Sequence, residues 1–449
     1  MSEGIFVSAK LFRDYGMILV LVALCALFSA LTLKSQTPQG EAAAAELANE
    51  ISQRFQKSDV IVVVGAANQD SAVIAEQVGA KLQSAGFASA KTVIGTPLDL
   101  RRALDEIAAG ARPVAAVVTT EQVAKWSVIE RLAETYPASR EFALVTPQTH
   151  VWPDFLKRSN LLAIVDRIVV IAVIAVGMTM VIITGGIDLS VGSLIALSAV
   201  IGALVMQRLG GLAAPAWSVP IGFLAGMLSC GLMGMIGGLL VARFQVAPFI
   251  TTLSLMMIAR GLALQLTGGF SIYQLPAALT WLGQGRSFGV PNTVILLAVL
   301  YAAAHVFMAH TRMGRYIYAV GGNPEAARLS GVPVGMVIVF VYTASALAAG
   351  LGGCIQASQI KTGTPTMGVM FELYVIAAVV LGGTSLSGGT GQVLGTLIGA
   401  FIISVIQNGM NLLGIESYVQ QIVLGSVILL AVLLDQARAR GGLRTRMRK

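Results

Sequence analysis

Long apolar runs alternate with short polar segments over most of the chain. A helix needs about 20 apolar residues to cross a bilayer, and ten runs approach or exceed that length. They lie at 16–33, 163–183, 191–208, 217–241, 249–267, 292–309, 335–356, 368–383, 390–410 and 417–435. The pattern predicts an all-α polytopic membrane protein with about ten transmembrane helices. The eighth run is short and ends in glycine, which makes it the least regular of the set.

Residues 35–160 follow a different pattern, with 14 acidic and 12 basic residues. Apolar stretches at 59–66, 91–95, 113–120 and 141–147 are typical of buried strands. Amphipathic stretches at 69–86, 98–110 and 126–136 are typical of helices, and they fall between the strands. This alternation predicts a small α/β domain with a parallel sheet, inserted after the first transmembrane helix.

Composition and charge support a membrane protein and give it an orientation. The chain is 56% hydrophobic and 12% charged, with a mean hydropathy of +0.80, whereas soluble domains hold about 25% charged residues. The tail 437–449 has six Lys or Arg and no acid, which predicts a cytoplasmic C-terminus. Ten crossings then place the N-terminus inside, the basic loop 311–335 inside, and residues 35–160 on the extracytoplasmic side. We expect the first run to be an uncleaved anchor, because it is longer than a signal peptide requires.

These features divide the chain into four parts. Residues 1–34 hold the N-terminus and the first transmembrane helix, and 35–160 form the inserted domain. Residues 161–436 form the transmembrane core, which includes the loop 311–335, and 437–449 form the basic tail.

The sequence contains no sign of catalysis. No lysine stands in the G-x-x-x-x-G-K-S/T frame that binds nucleotide phosphates, and the three histidines are scattered. No Ser-His-Asp set or C-x-x-C motif occurs. We therefore expect no enzymatic activity, no ATPase site, no metal and no cofactor in this chain.

Polar residues inside or at the ends of the apolar runs are the candidates for a translocation path, because such groups are costly in a membrane. Neutral amides favour a polyhydroxy solute such as a sugar, since they exchange hydrogen bonds without binding a charge. For Arg260 the alternative is a structural role, pairing with a carboxylate or with backbone carbonyls. The candidates are Asp188, Ser190, Arg260, Gln356, Gln359, Glu372, Gln407, Asn408 and Asn411.

The loop 311–335 contains the sharpest local signal in the chain. Asn323 followed by Pro324 is typical of a helix start, and the Gly-Val-Pro at 331–333 is typical of its end. The sequence predicts a short helix flanked by glycine, suited to contact a cytoplasmic partner.

A short motif occurs twice. "TGGIDLSVGS" at 184–193 and "LGGTSLSGGT" at 381–390 share Gly-Gly, a variable pair, Leu-Ser, a variable residue and Gly. Both follow runs that the topology directs inward, which indicates a parallel repeat of the kind found in transporters. We expect a structural turn at both sites, with Asp188 the exception because Ser385 replaces it in the second copy.

Three segments, "AVGMTMVIITGGIDLSVGSLIALS", "GRYIYAVGGNPEAARLSGV" and "IAAVVLGGTSLSGGTGQVLGTLIGA", resemble the ribose-type sugar permeases of ABC importers. The resemblance covers about 160–436 and the first helix. It implies a ten-helix permease of the cell inner membrane that pairs with a second copy or a paralogue and moves a monosaccharide inward by alternating access. A cytoplasmic ABC ATPase would hold the ATP and Mg²⁺, and an extracytoplasmic sugar-binding protein would deliver the solute.

The resemblance also implies which residues couple the permease to its ATPase. These are Arg315, Asn323, Pro324, Glu325, Ala326, Ala327, Arg328, Ser330 and Gly331. The chain departs from the family in three places: the insertion 35–160, Tyr374 where an acid is usual, and Leu424 where a lysine is common.

Two other classes of function remain open. A membrane-anchored sensor would bind a ligand in the 35–160 domain, for which the loop 65–71 after the first strand is a candidate. An ion-driven transporter would want several intramembrane carboxylates, and only Asp188 and Glu372 are available.

Overall fold

The computed structural model describes residues 2–67, 70–110 and 112–446. Residues 68 and 69 of the candidate ligand loop and 447–449 of the basic tail lie outside this range. The chain forms two compact units, one of residues up to Thr32 and from Asp154 onward, the other of Leu33–Pro153. The first unit begins with helix α1 (Ser2–Leu31).

The Leu33–Pro153 unit is built on a parallel sheet. Its four strands lie in the order β3-β2-β4-β5, and an antiparallel pair, β1 with β6, joins its two ends. The strands are β1 (Leu33–Gln36), β2 (Val60–Ala66), β3 (Lys91–Gly95), β4 (Val114–Val118), β5 (Ala143–Val145) and β6 (His150–Pro153). The helices are α2 (Gly40–Arg54), α3 (Asp70–Ser84), α4 (Pro97–Ala109), α5 (Glu121–Ala124), α6 (Ser127–Glu130) and α7 (Leu132–Thr135).

Alternation along β2 divides this unit into two apolar layers. Ile61 and Val63 face the core under α2 and α3, whereas Val62 and Val64 face the core under α4. One expectation was wrong: 126–136 is not a single helix but the two short turns α6 and α7. The break is at Arg131, whose φ of −99° and ψ of 11° are not helical, while Ile129 and Leu132 on either side both reach the second core.

The other unit is almost entirely helical. After α1 it contains α8 (Arg158–Ile183), α9 (Val191–Arg208), α10 (Ser218–Phe244), α11 (Pro248–Thr267), α12 (Thr280–Gly283), α13 (Asn292–His310), α14 (Arg312–Gly322), α15 (Pro324–Leu329), α16 (Val334–Ile360), α17 (Phe371–Leu381), α18 (Val393–Leu412) and α19 (Ser417–Arg446). A small hairpin of β7 (Arg286–Ser287) and β8 (Val290–Pro291) precedes α13.

Each of the ten predicted apolar runs coincides with a helix. Among the described residues, seven of these helices, α8, α9, α10, α11, α13, α16 and α18, are long and apolar enough to cross a membrane. Three apolar stretches are shorter: Gly16–Leu31, Phe371–Leu381 and Ser417–Leu433. The chain is thus a mostly helical, multi-pass membrane protein, and the count of ten crossings stays a prediction.

The centre of the helical unit is formed by α8, α9 and α16. Most of α8 from Ile164 to Ile183 is buried, as is most of α9. Helix α10 packs closely on α16 because it presents glycine there: a methyl group at Gly238 would lie 2.7 Å from the Cα of Val339. Small residues permit such close approach of helices.

Candidate functional site

The helical path is broken between α16 and α17. Helix α16 ends at Ile360, and residues 361–370 are irregular before α17 begins at Phe371. With 11 residues at about 1.5 Å each, α17 is roughly 16 Å long, about half of a bilayer core. The irregular segment pairs with the α11–α12 connection, where the N–H of Ile272 donates to the carbonyl of Gly363 at 2.9 Å and Gly363 returns the bond at 3.0 Å. In transporters, an unusually short hydrophobic segment such as α17 points to the substrate site.

Arg260 holds the broken segment in place. One guanidinium nitrogen of this α11 residue donates to the carbonyls of Pro365 and Met367, at 2.6 and 2.7 Å, and the other donates to Gly192 at 3.3 Å. The irregular backbone needs such donors, because no helix satisfies its carbonyls. These are the backbone-carbonyl contacts that the structural alternative for Arg260 requires.

A cavity of about 760 Å³ lies beside the break. Helices α8, α12, α16, α17 and α18 form its wall, and its polar side chains are four glutamines, one tyrosine and the charged residues Asp166 and Arg167. The lining residues are Ala163, Asp166, Arg167, Val170, Ile171, Gly283, Gln284, Gln356, Gln359, Ile360, Phe371, Tyr374 and Gln407. Its volume falls within the usual range for small-molecule sites.

Two amide side chains of the cavity already donate hydrogen bonds, whereas one buried side-chain oxygen has no partner among the described residues. The Gln359 side chain donates to the carbonyl of Asp166 at 3.0 Å, and Gln284 donates to the carbonyl of Gln359 at 2.7 Å. The side-chain oxygen of Gln356 is buried and has no hydrogen-bond partner among the described residues. A buried acceptor without a partner costs free energy, so a solute hydroxyl that donates to Gln356 would be favoured.

Three of the predicted path residues, Gln356, Gln359 and Gln407, thus share one cavity. The others are not among its lining residues. Asn408 exchanges side-chain hydrogen bonds with Asn160 at 3.0 and 2.8 Å, and Asn411 accepts from Gln420 at 2.9 Å.

The sequence analysis missed Asp166, Arg167 and Gln284 as lining residues. Asp166 and Arg167 stand at the start of an apolar run and looked like its boundary. The adjacent opposite charges just inside α8 were the signal that was available.

Asp188 is buried in the turn between α8 and α9, where three donors surround it. Its Oδ1 accepts from the N–H and the hydroxyl of Ser190, at 3.0 and 2.6 Å, and its Oδ2 accepts from the hydroxyl of Ser345 on α16 at 2.8 Å. Asp188 and Ser190 therefore join the first Gly-Gly turn to α16.

The two Gly-Gly motifs form the same kind of helix end, but a different glycine of each pair takes the left-handed conformation. After α8 the left-handed residue is the first glycine, Gly185, and Gly186 donates to Val181 at 3.0 Å. After α17 it is the second glycine, Gly383, and Thr384 donates to Val379 at 3.2 Å. Both are Schellman ends. Counted from the left-handed glycine, Asp188 aligns with Leu386 and not with Ser385.

The predicted coupling segment is a separate, exposed helix. The Asn323 side chain caps α15 by accepting from the N–H of Ala326 at 3.0 Å, which is the start that the sequence predicts. Ala327 is the buried residue of α15, whereas the Leu329 side chain is 89% exposed. Glu325 and Arg328 form an exposed ion pair at 3.6 Å, and Gly331 ends the turn with a φ of +82°. Arg315 is exposed on the preceding α14.

The chain is similar to known membrane permeases. Residues 160–432 match a family described as branched-chain amino acid transport system / permease component. Over 291 residues the chain is 44% identical to the ribose import permease protein RbsC of Escherichia coli, covering 64% of this chain and 88% of that protein.

Other relatives show how far this similarity extends. Over 300 residues the chain is 42% identical to RbsC of Bacillus subtilis, covering 66% of this chain and 91% of that protein. It is 35% identical to the galactose/methyl galactoside import permease protein MglC of E. coli over 299 residues, which is 64% of this chain and 89% of that protein. No solved structure matches the chain. Because the family match covers more than half of the chain and the ribose permeases match along most of their length, the chain belongs to this permease family, as a ribose-type sugar permease of the ABC class.

Proposed function

We propose that the chain is the transmembrane subunit of an ATP-driven importer that moves a ribose-like monosaccharide into the cytoplasm by alternating access. The observation that carries this proposal is the amide-lined cavity beside the irregular segment that connects α16 to α17. Gln356, Gln407 and Tyr374 would bind sugar hydroxyls there. Under the predicted topology this cavity lies at the outer ends of the helices, with the termini inside and residues 33–153 outside.

The partners follow from the exposed surfaces and from the family. A cytoplasmic ABC ATPase that holds ATP and Mg²⁺ would bind α15, whose exposed Leu329 offers an apolar side chain for a cleft on that partner. An extracytoplasmic sugar-binding protein would deliver the solute, and a second copy or a paralogue would complete the permease.

The first experiment tests the ATPase partner. The protein is purified from its native membrane in mild detergent, as wild type, Glu325→Arg and the control Glu416→Arg, and bound proteins are identified by mass spectrometry. Among the described residues, Glu325 makes a single surface ion pair, which contributes little stability, and Glu416 lies on the opposite predicted side. An ABC ATPase that is retained by the control and lost from Glu325→Arg supports the proposal. Its absence from wild type overturns it.

The second experiment tests the cavity. Uptake of D-ribose, L-arabinose and D-galactose is measured for wild type, Gln407→Leu and the control Gln392→Leu at the other end of α18. A lost hydrogen bond to a buried group costs about 1–3 kcal/mol, so the KM of the transported sugar should rise about 5-fold to 150-fold in Gln407→Leu only. An equal KM in both variants contradicts the assignment of the cavity.

A second candidate function is ligand sensing by the Leu33–Pro153 unit. Here the observation is a cavity of about 500 Å³ lined by Asp70, Ser71, Thr120 and Glu121, among others. It lies past the carboxyl ends of β2 and β4, where the chain changes direction along the sheet, which is where open α/β sheets bind ligands. Titration of the purified full chain with the same sugars, with and without Glu121→Gln, tests it. Binding that the variant abolishes while uptake persists would favour a sensor site.

A further inference from the structure

Three segments of the helical unit meet at one point on their backbones. They are the carboxyl end of α8, the end of α14, and the loop that follows α17. The N–H of Gly389 donates to the carbonyl oxygen of Ile183 at 2.9 Å, and Gly321 of α14 packs against both. We call this contact of Ile183, Gly321, Gly388 and Gly389 the glycine junction.

The glycine junction has no room for a side chain at Gly321. A methyl group there would overlap the carbonyl oxygen of Ile183 and would lie 2.7 Å from the nitrogen of Gly389. It would therefore separate the two groups that form the hydrogen bond. A methyl group at Gly388 would likewise lie 3.0 Å from the carbonyl oxygen of Gly321.

A second contact joins the same segments. The hydroxyl of Tyr318, one turn before Gly321 on α14, donates to the carbonyl of Gly391 at 2.8 Å. Helix α14 is thus attached to the loop after α17 by a hydrogen bond as well as by packing.

The glycine junction is continuous with the predicted coupling helix. Only Gly322 separates Gly321 from Asn323, the residue that caps α15. A displacement of α15 therefore reaches the junction through two residues of backbone, with no flexible linker between them.

The glycine junction is also connected to the cavity, through α8 and α17. Helix α8 ends at the junction, whereas α17 ends at Leu381 and reaches it through the loop that follows. Both helices contribute to the cavity wall, α8 through Asp166 and Val170 and α17 through Phe371 and Tyr374. The end of one cavity wall is therefore joined to the loop that continues the other, and both are joined to the segment that would bind the ATPase.

We propose that the glycine junction transmits movement of α15 to both cavity walls, with Gly321 as the positioning residue. The inference rests on the proposed function, because an ATPase must move α15. Packed interfaces of this kind shift between discrete arrangements, and coupling follows such contacts. The backbone contact holds the end of α8 to the loop after α17, so a displacement of α14 acts on α8 directly and on α17 through that loop.

The test measures transport per ATP hydrolysed. Wild type, Gly321→Ala and Gly322→Ala are reconstituted with the co-purified ATPase in proteoliposomes, and uptake of labelled sugar is compared with phosphate release. Gly322→Ala is the matched control, since no described atom lies within 4 Å of a methyl group there. Gly321→Ala should retain the ATPase and its hydrolysis while sugar moved per ATP falls by about tenfold or more. Gly322→Ala should stay within about twofold of wild type.

Tyr318→Phe keeps the test decisive if Gly321→Ala fails to reach the membrane. It removes one hydrogen bond without adding volume, and sugar moved per ATP should fall by about twofold to tenfold. Equal ratios of transport to hydrolysis in wild type and the variants overturn the inference while the proposed function stands. Loss of the ATPase from wild type would overturn the proposed function and the inference together.

Discussion

The buried carboxylate of Asp188 provides the most quantitative test of the structure. Its Oδ2 accepts from the Ser345 hydroxyl at 2.8 Å, and both residues are almost fully buried. A double-mutant cycle combines Asp188→Ala with Ser345→Ala. Asp188→Ala also removes the free-energy cost of burying the carboxylate. That cost is lost whether Ser345 is present or replaced by alanine, so it cancels in the coupling free energy.

Hydrogen bonds to charged groups contribute about 1.5–3 kcal/mol each. Asp188 accepts three, from two groups of Ser190 and from Ser345, so Asp188→Ala loses about 4–9 kcal/mol of hydrogen bonding. Relief of the buried charge returns several kcal/mol of this. The coupling free energy between Asp188 and Ser345 should nevertheless be about 1.5–3 kcal/mol, since it reports one hydrogen bond.

Equilibrium unfolding of the purified protein in detergent micelles, titrated with sodium dodecyl sulfate, gives the four free energies of unfolding. A control cycle replaces Ser345→Ala with Thr343→Ala, because the Thr343 hydroxyl bonds only within its own helix, to Val339 at 2.7 Å. The control pair should be additive within about 0.5 kcal/mol. A coupling for Asp188 and Ser345 that is no larger than the control would refute the role of Asp188 as the tie between the first Gly-Gly turn and α16.

Three further predictions follow from local contacts. Arg260→Lys should destabilise the protein by about 1–3 kcal/mol, because an ammonium does not reproduce the planar fork that reaches Pro365 and Met367. A free energy of unfolding in detergent equal to that of wild type would contradict a stabilising role for these hydrogen bonds. Gly409→Ala should weaken the packing of α1 on α18, because the added methyl group would overlap the ring of Phe28. The control Gly425→Ala should be neutral, because no described atom lies within 4 Å of a methyl group there. Thermal unfolding should therefore show a lower midpoint for Gly409→Ala only. The N–H and hydroxyl of Thr96 donate to Asp99 at 2.8 and 2.7 Å and hold the pKa of that carboxyl below its usual range. The stability from this contact is therefore present above the unfolded pKa of about 3.9 and is lost as pH falls through the lower folded value. Hydrogen exchange of α4 should differ between wild type and Asp99→Asn at pH 7, and the difference should disappear at pH 3.

Sequence patterns located most of the helices and strands because those signals are local. Apolar runs fixed where each long helix lies, and alternation of strand and helix patterns located β2, β3, β4 and β5. Asn323 and Pro324 located the start of α15 to the residue, since a cap is a contact between residues three apart in sequence. The break at Arg131 within 126–136 was not visible, because the apolar pattern there also fits one continuous helix.

The candidate site shows the limit of local signals most clearly. Polar residues in apolar runs were recognised as unusual, yet the sequence did not separate Gln356 and Gln407, which share the cavity, from Asn408, which binds Asn160 instead. One residue along α18 rotates a side chain by about 100°, so neighbours face different partners.

The sequence by itself determined that this protein is a multi-pass membrane permease of the ribose type, with an inserted α/β segment and an exposed helix before α16. Hydrophobic length, charge asymmetry and motif order are properties of the chain before it folds. Only the tertiary structure decided that Arg260 donates to the carbonyls of an irregular segment, and that the end of α8 and the loop after α17 meet α14 at Gly321. Those facts depend on contacts between residues distant in sequence, and such contacts exist only after the helices pack.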